Sequence, residues 1–177
     1  MPPDLFLNPE KVIEEWDIRP GDLIADFGCG AGFFSIPLGK RAGSNGRVYA
    51  LDIRPEALEA VRAKVKLFHL FNIEPSRANL ELERGSGLKS DTIDKVVIAN
   101  ILFQAENKKN IIEEAHRILK PSGVAIVVEW NEGEKAGPVL PNKIHRDEIA
   151  EIFKEAGFSL AKKFNAGTHH YGLIFKK

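Results

Sequence analysis

The residues with the clearest chemical potential are Asp26-Phe27-Gly28-Cys29-Gly30-Ala31-Gly32, where an acid precedes a Gly-x-Gly-x-Gly run. Glycine lets a backbone turn sharply and lets a ligand press on the main chain with no Cβ in the way. A dinucleotide would need a helix N-terminus aimed at its pyrophosphate, and an acid at that point opposes a phosphate. The same acid suits a positively charged ligand. A second acid, Asp52, lies 24 residues after Gly28, at a spacing where a carboxylate can accept both hydroxyls of a ribose. Asp52 therefore argues for an adenosine-bearing ligand and Asp26 for a cationic one. The plainer reading, a tight strand-to-helix turn with no ligand, leaves the pairing of the two acids unexplained.

Candidate proton acceptors are Glu129 at the carboxyl end of a strand, His145 just before the last helix, and the pair His169-His170 ahead of the final strand. Position favours Glu129, because open α/β sheets build their sites at the carboxyl ends of the strands. Each also has a plainer reading: a solvated strand-end charge for Glu129, a helix cap for His145, packing against a hairpin for His170. His116 and His69 read as surface residues. Phe33, Phe34, Phe103 and Trp130 could line an apolar pocket, or could be ordinary core.

The elements that position these residues follow from periodicity. Apolar runs of strand length alternate with helix-length segments, which predicts βαβ crossovers around a parallel sheet. Strands are expected at Leu23 to Phe27, Arg47 to Asp52, Asn79 to Arg84, Lys95 to Ala99 and Val124 to Val128. Helices are expected over Phe33 to Arg41, Pro55 to about Phe71, Asn107 to Leu119 and Arg146 to Ala156, with Pro121-Ser122-Gly123 and Gly157 as stops. A short covering helix runs to Trp16, with Asn8 as its cap and Pro9 at its first position. Two last strands, Ser159 to Phe164 and Tyr171 to Phe175, are too close for a crossover and predict an antiparallel hairpin. A polar, proline-bearing loop from Asn131 to Asn142 precedes the last helix.

A chain of 177 residues suits one well-cored domain over 1–177. Its 25 basic and 25 acidic residues cancel, which argues against a nucleic-acid partner. One cysteine, Cys29, allows no intramolecular disulfide, and Met-Pro-Pro-Asp lacks the basic and apolar regions of a signal peptide, so a cytoplasmic protein with no membrane span is expected.

At these residues the sequence resembles the class I S-adenosylmethionine-dependent methyltransferases. Asp26 to Gly32 is similar to the family's first motif and Val48-Tyr49-Ala50-Leu51-Asp52 to its second. Asp94 to Asn100 resembles the fourth-strand motif, and His116 to Gly123 the helix-to-strand-five signature, with Ser122 departing from the usual Pro-Gly-Gly. The resemblance implies an α/β, Rossmann-like fold: a seven-stranded, mostly parallel sheet with an antiparallel C-terminal hairpin and helices on both faces. Leu7-Asn8-Pro9-Glu10, Glu129-Trp130 followed by Gly137-Pro138, and Glu155-Ala156-Gly157-Phe158 are similar to the small stand-alone ubiquinone/menaquinone and arsenite methyltransferase group. Arsenite methylation relies on several cysteines, and the lone Cys29 argues against it.

By this resemblance S-adenosylmethionine is the cofactor and no metal is implied. Asp26 with Gly28, Cys29, Gly30 and Gly32 would meet its methionine part, and Asp52 and Ile53 its ribose and adenine. Ser86 and Gly87 would meet the adenine edge, although Gly85-Ser86-Gly87-Leu88 lacks the usual acid. Asn100 and Ile101 would form the floor. Asn100 and Phe103 are faintly similar to the Asn-Pro-Pro-Tyr/Phe element of nucleic-acid amino-group methyltransferases, without its prolines. A small-molecule acceptor is expected. So lean a chain leaves room for a second copy to close the pocket. The alternatives are a cofactor binder without catalysis, a methyltransferase acting on RNA or protein, and a nicotinamide dehydrogenase, which Asp26 opposes.

Overall fold

The computed structural model describes residues 7–131 and 144–177. The expected loop from Asn131 to Asn142, and with it Gly137-Pro138, lies almost wholly outside the described residues. Asn8 accepts a hydrogen bond from the Lys11 amide and opens helix α1 (Pro9–Val12), which continues as a 3₁₀ turn (Ile13–Trp16). There follow β1 (Leu23–Phe27), α2 (Ser35–Ala42), β2 (Arg47–Asp52), α3 (Pro55–Phe68), β3 (Ile73–Arg77) and β4 (Ile93–Ala99). The order closes with α4 (Lys108–Ile118), β5 (Leu119–Trp130), α5 (Arg146–Glu155), β6 (Ser159–Asn165) and β7 (His170–Lys176).

One seven-stranded sheet runs in the order β3-β2-β1-β4-β5-β7-β6. The first five strands are parallel, and β7 pairs antiparallel with both β5 and β6. Central strands such as β4 are apolar where both faces are covered, here from Val96 to Ala99. On one face Ile111, Ile112, Ala115 and Ile118 of α4 and Ile149 and Phe153 of α5 join the core. On the other, Ile13 and Trp16 pack with Leu38 of α2 and Leu58 and Val61 of α3. Each such fully buried side chain is worth about 1.5–3 kcal/mol.

Two expectations are corrected. The third strand is Ile73–Arg77, whereas residues 79–84 form turns. The polar-apolar alternation of Asn79-Leu80-Glu81-Leu82 mimics a half-buried strand, while Pro75 hides a real one. β3 is the outermost strand of the sheet, where proline is tolerated. In consequence the crossover from β3 to β4 carries no helix. The fifth strand also starts directly after α4, at Leu119, and its pairing with β4 is irregular between Ile93 and Lys95.

The chain leaves β1 in one direction for β2 and β3, then crosses back to β4 and β5. The carboxyl ends of β1 and β4 therefore diverge, and open sheets bind ligands in the crevice at such a switch point.

Candidate active site at the sheet's switch point

A cavity of about 780 Å³ opens there. The strand order arranges its walls. Ile53, Arg54 and residues 78–81 follow β2 and β3; Asp26 stands near the end of β1, and Gly28 and Asn100 follow β1 and β4; Trp130 ends β5 and His170 opens β7.

The turn after β1 is built for close approach. The amides of Gly28 and Cys29 donate to the Leu51 carbonyl at 2.8 and 2.9 Å, tying the turn to β2. Gly28 has φ +69°, and a Cβ there would overlap the Ile101 side chain. Gly30, at φ +51°, meets no atom nearer than Arg54 at 3.9 Å, so its Cα faces open space. Both positions require glycine, one for packing and one for its left-handed backbone.

The two acids are handled differently. Asp52 is 4% exposed and held from inside: Oδ2 accepts the Gly30 amide at 2.9 Å, and Oδ1 accepts the Arg54 amide at 2.9 Å and Nε at 3.3 Å. Asp26 is 2% exposed and is held by Ser35 alone, whose hydroxyl donates at 2.5 Å and whose main-chain amide also donates to the carboxyl, with no cation beside it among the described residues. Burial pushes its pKa up to about 6 against the lowering effect of Ser35, and the charge of Asp52 adds to the rise. In the same cavity lining, Asn100 adopts φ +56°, and its buried Oδ1 has no hydrogen-bond partner among the described residues. An uncompensated carboxylate and an orphaned acceptor on one cavity wall are what a ligand bearing an ammonium and a sulfonium requires. The residues present thus fit S-adenosylmethionine.

Of the residues singled out from sequence, Asp26, Gly28, Cys29, Gly30, Asp52, Ile53, Asn100, Ile101 and His170 line this cavity. Gly32 does not; it packs on Val61 of α3. Ser86 and Gly87 are likewise absent from the walls. The Ser86 hydroxyl and amide donate to Glu114 of α4, a carboxylate also bridged by Arg117, so this loop is tied to a helix. Residues 78–81, which follow the true third strand, stand in its place; Arg54 and Gln104 are further wall residues that no motif marks in the sequence.

The proton-acceptor candidates separate as well. His145 accepts the Asp147 amide at 3.2 Å and caps α5, away from the cavity. His170 stands on the wall with its ring 4.1 Å from that of Trp130, its register partner. Glu129 is fully buried, not solvated, and lies outside the cavity lining. Its Oε1 accepts the Leu102 amide at 2.8 Å. Burial pushes its pKa up to about 7, opposed by the main-chain amides of Leu102, Phe103, Trp130 and Ile101.

Comparison with known proteins agrees with this geometry. The methyltransferase-domain family matches residues 18–173. The demethylmenaquinone methyltransferase of Lactococcus lactis subsp. lactis is 28% identical over 166 residues, 89% of this chain and 60% of its own length. The ribosomal protein L11 methyltransferase of Anoxybacillus flavithermus is 30% identical over 82% of this chain, which spans 40% of that protein. This chain thus spans only 60% and 40% of the length of these two relatives. The crystal structure of a SAM-dependent methyltransferase from Aquifex aeolicus superposes with a TM-score of 0.85 at 26% identity, covering 96% of this chain and 89% of that one. With an acid-flanked glycine turn at the switch point and a domain match over most of its length, the chain belongs to the class I S-adenosylmethionine-dependent methyltransferases.

Proposed function

We propose that the chain transfers a methyl group from S-adenosylmethionine to an apolar, ring-bearing small molecule held at the Trp130 and His170 end of the cavity. The observation that carries this reading is the pairing within one cavity of the uncompensated Asp26 with an aromatic wall of Phe33, Trp130 and His170. Asp26 and the Gly28–Gly30 backbone would hold the cationic methionine part. Asp52 retains acceptor capacity for ribose hydroxyls beyond its bonds to Gly30 and Arg54. Ile53, Leu80 and Asn79 would flank the adenine.

The bound cofactor supplies an already activated methyl group. The protein's part is to align the acceptor atom and exclude water, a positional effect worth several kcal/mol. Of the three proton-acceptor candidates only His170 stands on the cavity wall, and it would take the acceptor's proton where one must leave. The demethylmenaquinone relative supports a small-molecule acceptor; the L11 methyltransferase relative supports a protein one.

The test is S-adenosylhomocysteine release from the purified chain offered a panel of hydroxylated aromatic rings, and, separately, ribosomal protein. Release with rings, weakened at least tenfold in His170→Asn, is expected. Release with protein alone would overturn the acceptor assignment, and cofactor affinity with no release on either panel would leave a binder instead of an enzyme.

A further inference from the structure

Glu129 combines features that neither a solvated charge nor a general base explains. It is fully buried in β5, one residue before Trp130, yet its side chain is not on the cavity wall. Strand alternation sends consecutive side chains to opposite faces, so Trp130 facing the cavity turns Glu129 away from it. No lysine or arginine pairs with it among the described residues, and its Oε2 has no hydrogen-bond partner there.

What faces it is the segment after β4. Oε1 accepts the Leu102 amide at 2.8 Å, and the amides of Ile101 and Phe103 point their positive ends at the same carboxyl. That segment leaves the sheet through Asn100, a non-glycine residue in the left-handed region, whose amide donates to the Val128 carbonyl at 2.9 Å. Asparagine is among the few non-glycine residues that enter this region readily, so the exit from the strand is compatible with its type. Asn100, Ile101, Gln104 and Ala105 then line the cavity, and Ile101 fills the space that glycine leaves at position 28.

We infer that Glu129 is a positioning residue: its buried carboxyl clamps the amides of residues 101–103 and so fixes Asn100 and Ile101 against the glycine turn as the floor of the cofactor cavity. This rests on that cavity being the cofactor site. A native chain that fails to bind S-adenosylmethionine would break the site reading, whereas a native chain that binds while the variants below behave otherwise than stated would break only this one.

The clamp needs an acceptor oxygen and no negative charge. Glu129→Gln keeps the acceptor, and Glu129→Leu fills the volume without one. Calorimetric titration with S-adenosylhomocysteine is expected to give Glu129→Gln a Kd within about threefold of native and Glu129→Leu a Kd raised at least tenfold. Turnover, where an acceptor is in hand, should show the loss chiefly in the cofactor KM. Hydrogen exchange at the Leu102 and Phe103 amides should be slow in the native chain and in Glu129→Gln, and at least tenfold faster in Glu129→Leu. Native cofactor affinity in a folded Glu129→Leu overturns the proposal. So does loss of kcat with intact affinity in Glu129→Gln, which would make Glu129 a base. Should Glu129→Leu not fold, exchange in the native chain still decides, because fast exchange at Leu102 excludes a clamp.

Discussion

The two ends of the sheet treat buried acids in opposite ways. At the amino end every acid beside β4 has a cation: Asp22 holds Lys95 at 2.8 Å with both side chains nearly buried, and Asp94 holds Lys120 at 2.6 Å while accepting the Leu23 amide. Burial would raise the Asp94 pKa, but Lys120 and the Leu23 amide bring it below the ordinary carboxylate value. At the carboxyl end Asp26 and Glu129 have no cation among the described residues, and both are pushed up. Asp52 is intermediate, with a half-exposed Arg54 beside it. Among the described residues the amino end is electrically complete, and the end that holds the cavity is left short of positive charge, which a cationic ligand would supply.

The comparison can be broken at either end. The largest effect is expected from Lys95→Met, which strands Asp22 with little solvent access and should cost about 3 kcal/mol of folding stability by denaturant titration. Cofactor affinity should hardly change; a joint loss would mean that the two ends are not independent. Next comes Asp26→Asn, which should weaken cofactor binding by about 2–3 kcal/mol, roughly 30–150-fold in Kd by calorimetry, without lowering the stability of the free chain. Unchanged affinity would remove the assigned role of Asp26.

A smaller effect follows from pH. A carboxyl raised from 3.8 to about 6 on folding contributes stability that is fully present below 3.8 and lost as pH rises through 6. Its ionised form is the one that would bind the cation. On acidification from pH 7.5 to 5, cofactor affinity should therefore fall, by up to about tenfold per unit below 6, while the Asp26 contribution to stability rises. The difference between native and Asp26→Asn chains isolates both trends, and parallel movement of the two would contradict the assignment. Glu129 adds stability of the same sign, fully present below 4.5 and lost as pH rises through about 7. Arg54→Ala should do least, under about 1 kcal/mol in thermal melts, because the guanidinium is largely solvated and Asp52 keeps its two main-chain donors.

Residue order revealed much of this architecture, and the failures have physical causes. β1 and β2 were legible to the residue because an apolar run bounded by turn-formers has little else to become. The third strand was hidden by Pro75, whose acceptability depends on an edge position that only the assembled sheet supplies. Ser86 and Gly87, expected from the family resemblance at the adenine edge, lie beyond the cavity wall that residues 78–81 form. Glu129 was visible as a strand-end acid, but its destination depends on the amides of a loop 27 residues away in sequence. Asp26 and Asp52 could be found because type and spacing alone define them. That Asp52 is already engaged by Gly30 and Arg54 could not be found, since it depends on the conformation of the turn.

The reversed direction of β7 has one further effect. A parallel strand would deliver its last residues to the working edge, whereas β7 delivers its first, His170, and with it the four-residue bend from Ala166 to His169. That bend is fastened to the end of β5, where the Asn131 amide and side chain donate to the carbonyls of His169 and Thr168 at 2.8 and 3.1 Å. Lengthening or shortening it would redraw the aromatic wall while leaving the parallel strands and the glycine turn untouched. On the proposed reading, acceptor preference would thus drift by edits to one small surface bend, independently of the glycine turn and its two acids.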